Sequence, residues 1–167
     1  MGLAIIWLLS INNLFSQERY LLVVDVQDIF YKNTGLEQQA NEIVSNINQI
    51  IDKMKPAKVI YIKAIGKVLS ISLKGIKGIP MEHAPEIDSN LKIVNNNIFT
   101  KIEGDAFTLE DLNKFLFDNN AKEIVIVGLL AEKCIYSTAL GGIGKGYNIY
   151  IVPEAIVSKS KDKKEKV

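Results

Sequence analysis

The alternation of apolar runs with amphipathic segments along the chain constrains the fold more than any other feature of the sequence. Residues 20–26, YLLVVDV, are almost wholly apolar, as expected of a strand buried on both faces of a sheet. Residues 36–55 then place apolar side chains at three- and four-residue spacings, which predicts an amphipathic helix. The pattern recurs, with strands predicted at 58–65, 96–102, 122–128 and 148–153 and helices at 109–120 and 132–146. Units of this kind predict one Rossmann-like α/β domain, a three-layer α/β/α sandwich around a mostly parallel sheet.

One long segment departs from this alternation. Residues 66–97 are rich in Gly, Pro and Asn and show little sustained periodicity. We therefore predict an irregular insertion after the second strand. Long insertions at that position of an α/β sheet commonly shape the ligand site, so this segment is expected to govern substrate choice.

Composition excludes several classes of function. The chain is 48% hydrophobic and 23% charged, which is typical of a folded globular domain, and its formal net charge is only +1. A charge this small gives no general attraction to nucleic acid or to anionic membranes. One cysteine and one histidine exclude an internal disulfide, a multi-cysteine zinc site and paired-histidine metal motifs. We expect neither a metal nor another cofactor.

The first 17 residues are treated separately from the domain at 18–167. They form a short apolar stretch that ends in small or polar residues, as secretory signals do, but they lack a basic start. The alternative is an extra N-terminal helix packed on the domain. A signal would predict a secreted or periplasmic protein, whereas a helix would predict a cytoplasmic one.

Three residues with chemically useful side chains lie at predicted strand ends. Asp25 closes the first strand, Lys101 closes the third, and Cys134 follows the fourth. Ligands of open parallel sheets bind beyond the carboxyl ends of the strands. A thiol in the first turn of a helix, near an ammonium, is expected to favour its thiolate, and a carboxylate could take its proton. Together they suit covalent catalysis, although each alone fits an ordinary structural role.

Three strings in this order resemble the signatures of the isochorismatase-like cysteine hydrolases. They are VVDVQDIF at 23–30, FTKIEGDAF at 99–107 and VGLLAEKC at 127–134, and the resemblance extends over about 20–158. It implies the three-layer α/β/α fold and an Asp–Lys–Cys triad. By motif, Asp25 would be the general base, Lys101 its electrostatic partner and Cys134 the nucleophile.

The resemblance also implies a cis peptide bond between Leu129 and Leu130. The backbone N–H groups of Leu130 and Cys134 would then form an oxyanion hole. Many relatives have Thr where this chain has Ala131, which removes one hydroxyl near the turn but no backbone donor. The resemblance further implies another helix and an edge strand beyond Ser158, so the chain looks truncated at its C-terminus.

Departures from the nicotinamidase branch concern a metal. That branch holds a metal with an Asp-x-His pair and a further histidine, whereas the segment after the second predicted strand here reads YIKAIGKV. Neither that metal site nor nicotinamidase activity is expected. His83 neighbours several acids and could join a loose metal cluster, but a solvated loop or a substrate contact fits it better. Phe30 could line the pocket or belong to the core.

The sequence as a whole predicts hydrolysis of a carbon–nitrogen bond in a small amide-type substrate through a covalent acyl-enzyme. A small molecule is the expected partner, and self-association is plausible because relatives often form oligomers. Two alternatives stay open. One is a non-catalytic member of the same fold that binds a ligand or serves in assembly. The other is cleavage of a vinyl ether, as isochorismatase performs.

Overall fold

The computed structural model describes residues 19–72 and 75–160, and the side chains of these residues outside 67–80. The predictions for residues 1–17 and for the lysine-rich end of the chain concern residues outside those described. None of the helices among the described residues is long and apolar enough to span a membrane.

The central sheet has five parallel strands, as the alternating pattern predicted. The strands lie in the order β5-β2-β1-β6-β7. Their bounds are Arg19–Val24 for β1, Val59–Ala64 for β2, Ile98–Lys101 for β5, Glu123–Gly128 for β6 and Asn148–Ile156 for β7. The apolar strand β1 is therefore central and paired on both sides, which matches its continuous burial.

Helices cover both faces of this sheet. On one face, the side chains of Leu21 and Val23 pack against helix α1, Glu37–Ile51. On the other, the alternate residues Tyr20, Leu22 and Val24 pack with helices α2, Glu110–Asp118, and α3, Tyr136–Gly144. Successive side chains of a strand point to opposite faces, so one strand contributes to both cores. The predicted three-layer α/β/α sandwich is confirmed.

The prediction of an irregular insertion at 66–97 is wrong for its first half. Strands β3, Lys67–Ser72, and β4, Gly75–Pro80, form an antiparallel hairpin separate from the main sheet. Its register pairs Val68 with Ile79 and Ile71 with Ile76. β-Branched residues favour strands, but the glycines and the proline of this segment hid that preference.

Gly128 ends β6 where its backbone lies close against that of Val24 in β1. Its φ is +123°, and a Cβ added there would lie 2.0 Å from the carbonyl oxygen of Val24. The amide of the next residue, Leu129, donates to that same oxygen at 3.0 Å. A side chain at Gly128 would therefore force apart the strands β1 and β6, which carry Asp25 and lead to Cys134.

We expect Gly128→Ala to lower the free energy of unfolding by about 3 kcal/mol or more, because the contact is with backbone and the φ is unfavourable for alanine. Urea denaturation followed by circular dichroism measures this loss. Gly144→Ala is the matched control, since a Cβ there meets nothing within 4 Å. Equal midpoints for the two variants would contradict the packing described for Gly128.

Candidate active site

The carboxyl ends of the parallel strands bring the three predicted catalytic residues together. The Nζ of Lys101 donates a hydrogen bond to Oδ2 of Asp25 at 2.9 Å. The ammonium reaches across β2, whose residue in register with Lys101 is Ala64. The thiol of Cys134 interacts with both the carboxyl and the ammonium. Three residues distant in sequence thus meet in one place.

Asp25 is buried and held in an unusual backbone conformation. Its φ is +56°, in the left-handed region that aspartate tolerates better than most residues. Its N–H donates to the carbonyl oxygen of Ile62 at 2.9 Å. Only 3% of the residue is exposed, and Oδ1 has no hydrogen-bond partner among the described residues. One carboxylate oxygen is therefore bound to Lys101 while the other remains available for a proton.

Burial dominates the electrostatics of Asp25. It raises the pKa of the carboxyl above its ordinary value, because the charged form loses its hydration. The positive charge of Lys101 and a favourable interaction with the Cys134 thiol oppose that rise. The thiol is thus a neighbouring group that could give its proton to the open carboxylate oxygen.

The expectation that the thiolate of Cys134 is favoured is wrong for the resting protein. Burial and the negative charge of Asp25 raise the pKa of the thiol to about 11, and Lys101 offsets them only in part. The helix begins later than predicted, since Cys134 lies in a π-helical turn, Ala131–Ile135, before α3. In this structure the thiol keeps its proton at neutral pH, beside a base that can accept it.

The turn before Cys134 has the backbone that the resemblance implied. The Leu129–Leu130 peptide bond is cis. The carbonyl oxygen of Leu130 accepts hydrogen bonds from the amides of Lys133 and Ile135, whereas none of the hydrogen bonds found among the described residues uses the Leu130 N–H. Both Leu130 and Cys134 line the same cleft. The role of their N–H groups as an oxyanion hole stays a prediction.

Asp25, Lys101 and Cys134 all line a cleft of about 900 Å³. Phe30 lines this cleft and belongs to neither of the two buried core clusters, so its position favours the pocket over the core. His83 is exposed and is not among the lining residues. It lies in a bend that faces solvent, between the hairpin and Pro85. Contact of either residue with a substrate stays a prediction, and the geometry supports it for Phe30 alone.

Gln27 is a structural residue of the site that the sequence analysis missed. It is completely buried, and its amide nitrogen donates to the carbonyl oxygens of Ala64, at 3.2 Å, and Pro85, at 2.7 Å. Its Oε1 accepts from the Ala64 amide at 2.7 Å. Gln27 therefore ties the end of β1 to the end of β2 beside Asp25. The sequence signal for this role was a polar residue directly after the apolar run of β1, in a segment expected to be buried.

Comparison with known proteins gives a family match. The family model "Isochorismatase domain" matches residues 19–167. Isochorismatase family protein 2A of Dictyostelium discoideum is 24% identical over 156 residues, which cover 89% of this chain and 70% of that protein. Streptothricin hydrolase of Streptomyces noursei is 23% identical over 141 residues, or 81% of this chain. The chain spans about half of that second relative, 52% of its length.

Solved structures share the fold. Pyrazinamidase of Pyrococcus horikoshii, in complex with zinc, superposes with a TM-score of 0.70 at 23% identity, covering 89% of this chain and 91% of that one. N-carbamoylsarcosine amidase from Thermoplasma acidophilum superposes with the same score at 18% identity, covering 89% of each chain. These likenesses concern the three-layer architecture.

The zinc of the Pyrococcus structure raises the question of a metal here. Within the described part of the chain, no group of three or more His, Cys, Asp or Glu side chains could hold a metal ion. Lys63, near the end of β2, pairs with Glu86 at 3.2 Å, and His83 is exposed. The described residues do not fit a zinc site of that kind.

The match to the isochorismatase family model covers most of the chain. The family model spans the sheet, the helices and the cleft. The chain belongs to the isochorismatase family and is an enzyme of that family.

Proposed function

We propose that this protein is a cysteine hydrolase that cleaves a carbon–nitrogen bond in a small amide-type substrate. Cys134 serves as nucleophile, Asp25 as general base and Lys101 as the group that holds and balances the carboxylate. The activities of similar proteins support an amide-type substrate, since these proteins include a streptothricin hydrolase, a pyrazinamidase and an N-carbamoylsarcosine amidase.

The observation that carries this proposal is the ion pair between Lys101 and Asp25 beside the thiol. Both side chains are nearly inaccessible to solvent, at 1% and 4%. Burying two charges costs several kcal/mol per ion, and their attraction does not reliably recover that cost. A buried pair that adds little stability, with an open carboxylate oxygen next to the chain's one thiol, is better explained by chemistry.

The first half of the reaction forms an acyl-enzyme. As the sulfur of Cys134 attacks the amide carbon, its proton passes to Asp25, so charge does not accumulate on an isolated thiolate. A carbon–sulfur bond forms and the carbonyl oxygen becomes an oxyanion. The carbon–nitrogen bond then breaks, and the departing nitrogen takes the proton from Asp25.

Hydrolysis of the thioester restores the enzyme. Water attacks the acyl carbon and gives a proton to Asp25. The carbon–sulfur bond breaks, and the sulfur regains a proton as the carboxylic acid product leaves. The N–H groups of Leu130 and Cys134 would stabilise the oxyanion in both halves, by about 3 kcal/mol for each donor.

The two alternatives lack an observation that favours them. A binding or assembly module has no need of a carboxylate and an ammonium buried against a thiol. Cleavage of a vinyl ether requires a substrate of different chemistry. No described residue favours binding of a vinyl ether over binding of an amide.

Purified protein is expected to release amine or ammonia from some members of a panel of small amides, whereas Cys134→Ser releases none above background. A hydroxyl at this position is a far weaker nucleophile, because its pKa lies well above that of a thiol. Release of amine or ammonia measures cleavage of the amide, and mass spectrometry of a trapped acyl-enzyme detects the covalent intermediate. Equal rates for Cys134→Ser and the parent protein would exclude the thiol from the reaction.

The pH profile of kcat/KM is expected to show an acid limb above the ordinary aspartate value of 3.8. Asp25 must be ionised to accept a proton, and burial raises its pKa, so activity falls as the pH drops through that raised value. Titration of the thiol, with a pKa of about 11, is expected to leave the neutral range flat. An acid limb at or below 3.8 would contradict the role of Asp25.

A further inference from the structure

Two lysines line the cleft in addition to Lys101. They are Lys133, one residue before the nucleophile, and Lys159, which follows β7. Both are exposed, and neither forms an ion pair with a described residue. The two lysines of the cleft are therefore cations without a counter-charge of their own.

Specific contacts hold these lysines at the same cleft. The amide of Ala131 donates to the carbonyl oxygen of Val157 at 2.8 Å. The carboxylate of Glu132 accepts from the Ser158 hydroxyl at 3.0 Å and from the Lys159 amide at 3.2 Å. The segment after β7 is thus fastened to the turn that carries Cys134, so the backbone positions of both lysines are set by the site itself.

The charges of the described lining residues do not balance. Asp25 and Lys101 neutralise each other, and Glu103 is the one further acid among the described lining residues. Lys133 and Lys159 add two positive charges against this one acid, which leaves an excess of one positive charge among the described lining residues. A cleft with walls of low dielectric constant concentrates such a field toward its interior.

The mouth of the cleft also exposes apolar surface. Ile29 is 49% exposed and Ile102 is 53% exposed, although both are large apolar side chains. Both line the cleft, as does Phe30. Apolar walls with a few convergent charged groups are the usual composition of a site for a small organic ligand.

We infer that the cleft selects amide substrates that carry an anionic group, such as a carboxylate, together with an apolar part. The anionic group lies toward Lys133 and Lys159, and the apolar part lies against Ile29 and Ile102. That such a molecule is hydrolysed rests on the proposed function, but the positive field around the thiol can be measured without any turnover.

The chain's single cysteine reports that field directly. Iodoacetate and iodoacetamide both alkylate the thiolate of Cys134, so the ratio of their rates cancels its pKa and leaves the preference for a negative charge. We expect the ratio to exceed that of a free thiol such as glutathione, and to fall about twofold in Lys133→Met and in Lys159→Met, the effect of one screened unit charge at several ångströms. Glu103→Gln is expected to raise the ratio by a similar factor.

Lys145→Met is the matched control, because Lys145 is exposed at the end of α3 and does not line the cleft. Its ratio should equal that of the parent protein, and high salt should bring the parent's ratio toward that of glutathione. A ratio that is unchanged in Lys133→Met, Lys159→Met and Glu103→Gln would overturn the inference.

A pair of amides that differ only in a carboxylate and its neutral methyl ester separates the inference from the proposed function. A higher kcat/KM for the carboxylate, reduced in Lys159→Met through KM, supports both. If the amide bond of the methyl ester is hydrolysed as fast as that of the carboxylate, the inference is overturned and the hydrolase proposal stands. If neither is hydrolysed, this result counts against the proposed function, and the alkylation ratio still decides the charge preference of the cleft.

Discussion

Asp25→Asn is expected to lower kcat/KM for hydrolysis by about a thousandfold while making Cys134 react faster with iodoacetamide. A positioned general base typically contributes factors of this size. The opposite effect on alkylation follows from electrostatics, because Asp25 raises the pKa of the thiol chiefly by its negative charge. Asparagine removes the charge and leaves the opposing influence of Lys101, so the thiolate becomes more populated.

The gain in alkylation is smaller than the change in thiolate population. A thiolate of lower pKa is intrinsically less nucleophilic, so each unit of decrease is expected to raise the alkylation rate about threefold below the pKa. Asparagine also tolerates the left-handed backbone at this position, which preserves the fold. The measurement is the rate of Cys134 modification by mass spectrometry beside the rate of hydrolysis.

Asp111→Asn is a suitable control, since Asp111 lies on the exposed surface of α2 and should change neither rate. Alkylation that slows in Asp25→Asn would show that the carboxylate promotes the thiolate in the resting protein. That outcome would refute the electrostatic account of Cys134 given above.

Lys101→Met is expected to lower the free energy of unfolding by about 3–5 kcal/mol, because it leaves the buried carboxylate of Asp25 without its partner. Lys101 is 1% exposed and donates hydrogen bonds to Asp25 Oδ2 and to the carbonyl oxygen of Glu103. Chemical denaturation measures the loss. The same variant should also slow alkylation of Cys134, since Lys101 lowers the pKa of that thiol.

Two further variants test whether the loss arises from the unpaired charge. Lys114→Met breaks an exposed pair with Asp118, and we expect it to change stability by no more than about 0.5 kcal/mol. The double variant Asp25→Asn/Lys101→Met removes both buried charges and should recover much of the stability lost in Lys101→Met. If the double variant is less stable than the parent protein by the sum of the two single losses, the two charges are not coupled.

Local periodicity was enough to predict most of the fold. The five parallel strands and the three-layer arrangement follow from the apolar runs and from the three- and four-residue spacings. Both patterns can be read directly from the sequence. The hairpin at 67–80 was missed because its pairing of Val68 with Ile79 depends on two segments meeting. The position of Cys134 in a π-helical turn was missed because one extra residue in a turn leaves little trace in sequence.

The types of the triad residues and their places at strand ends were determined by the sequence alone, because a strand's end can be recognised from its own residues. The tertiary structure decided what those residues experience. Strand order sets the distance from Lys101 to Asp25, and burial beside that carboxylate reverses the expected shift in the pKa of Cys134. It also decided that Lys133 and Lys159 share the cleft. Electrostatic energies depend on separation and on the surrounding dielectric, and neither quantity exists until the chain has folded.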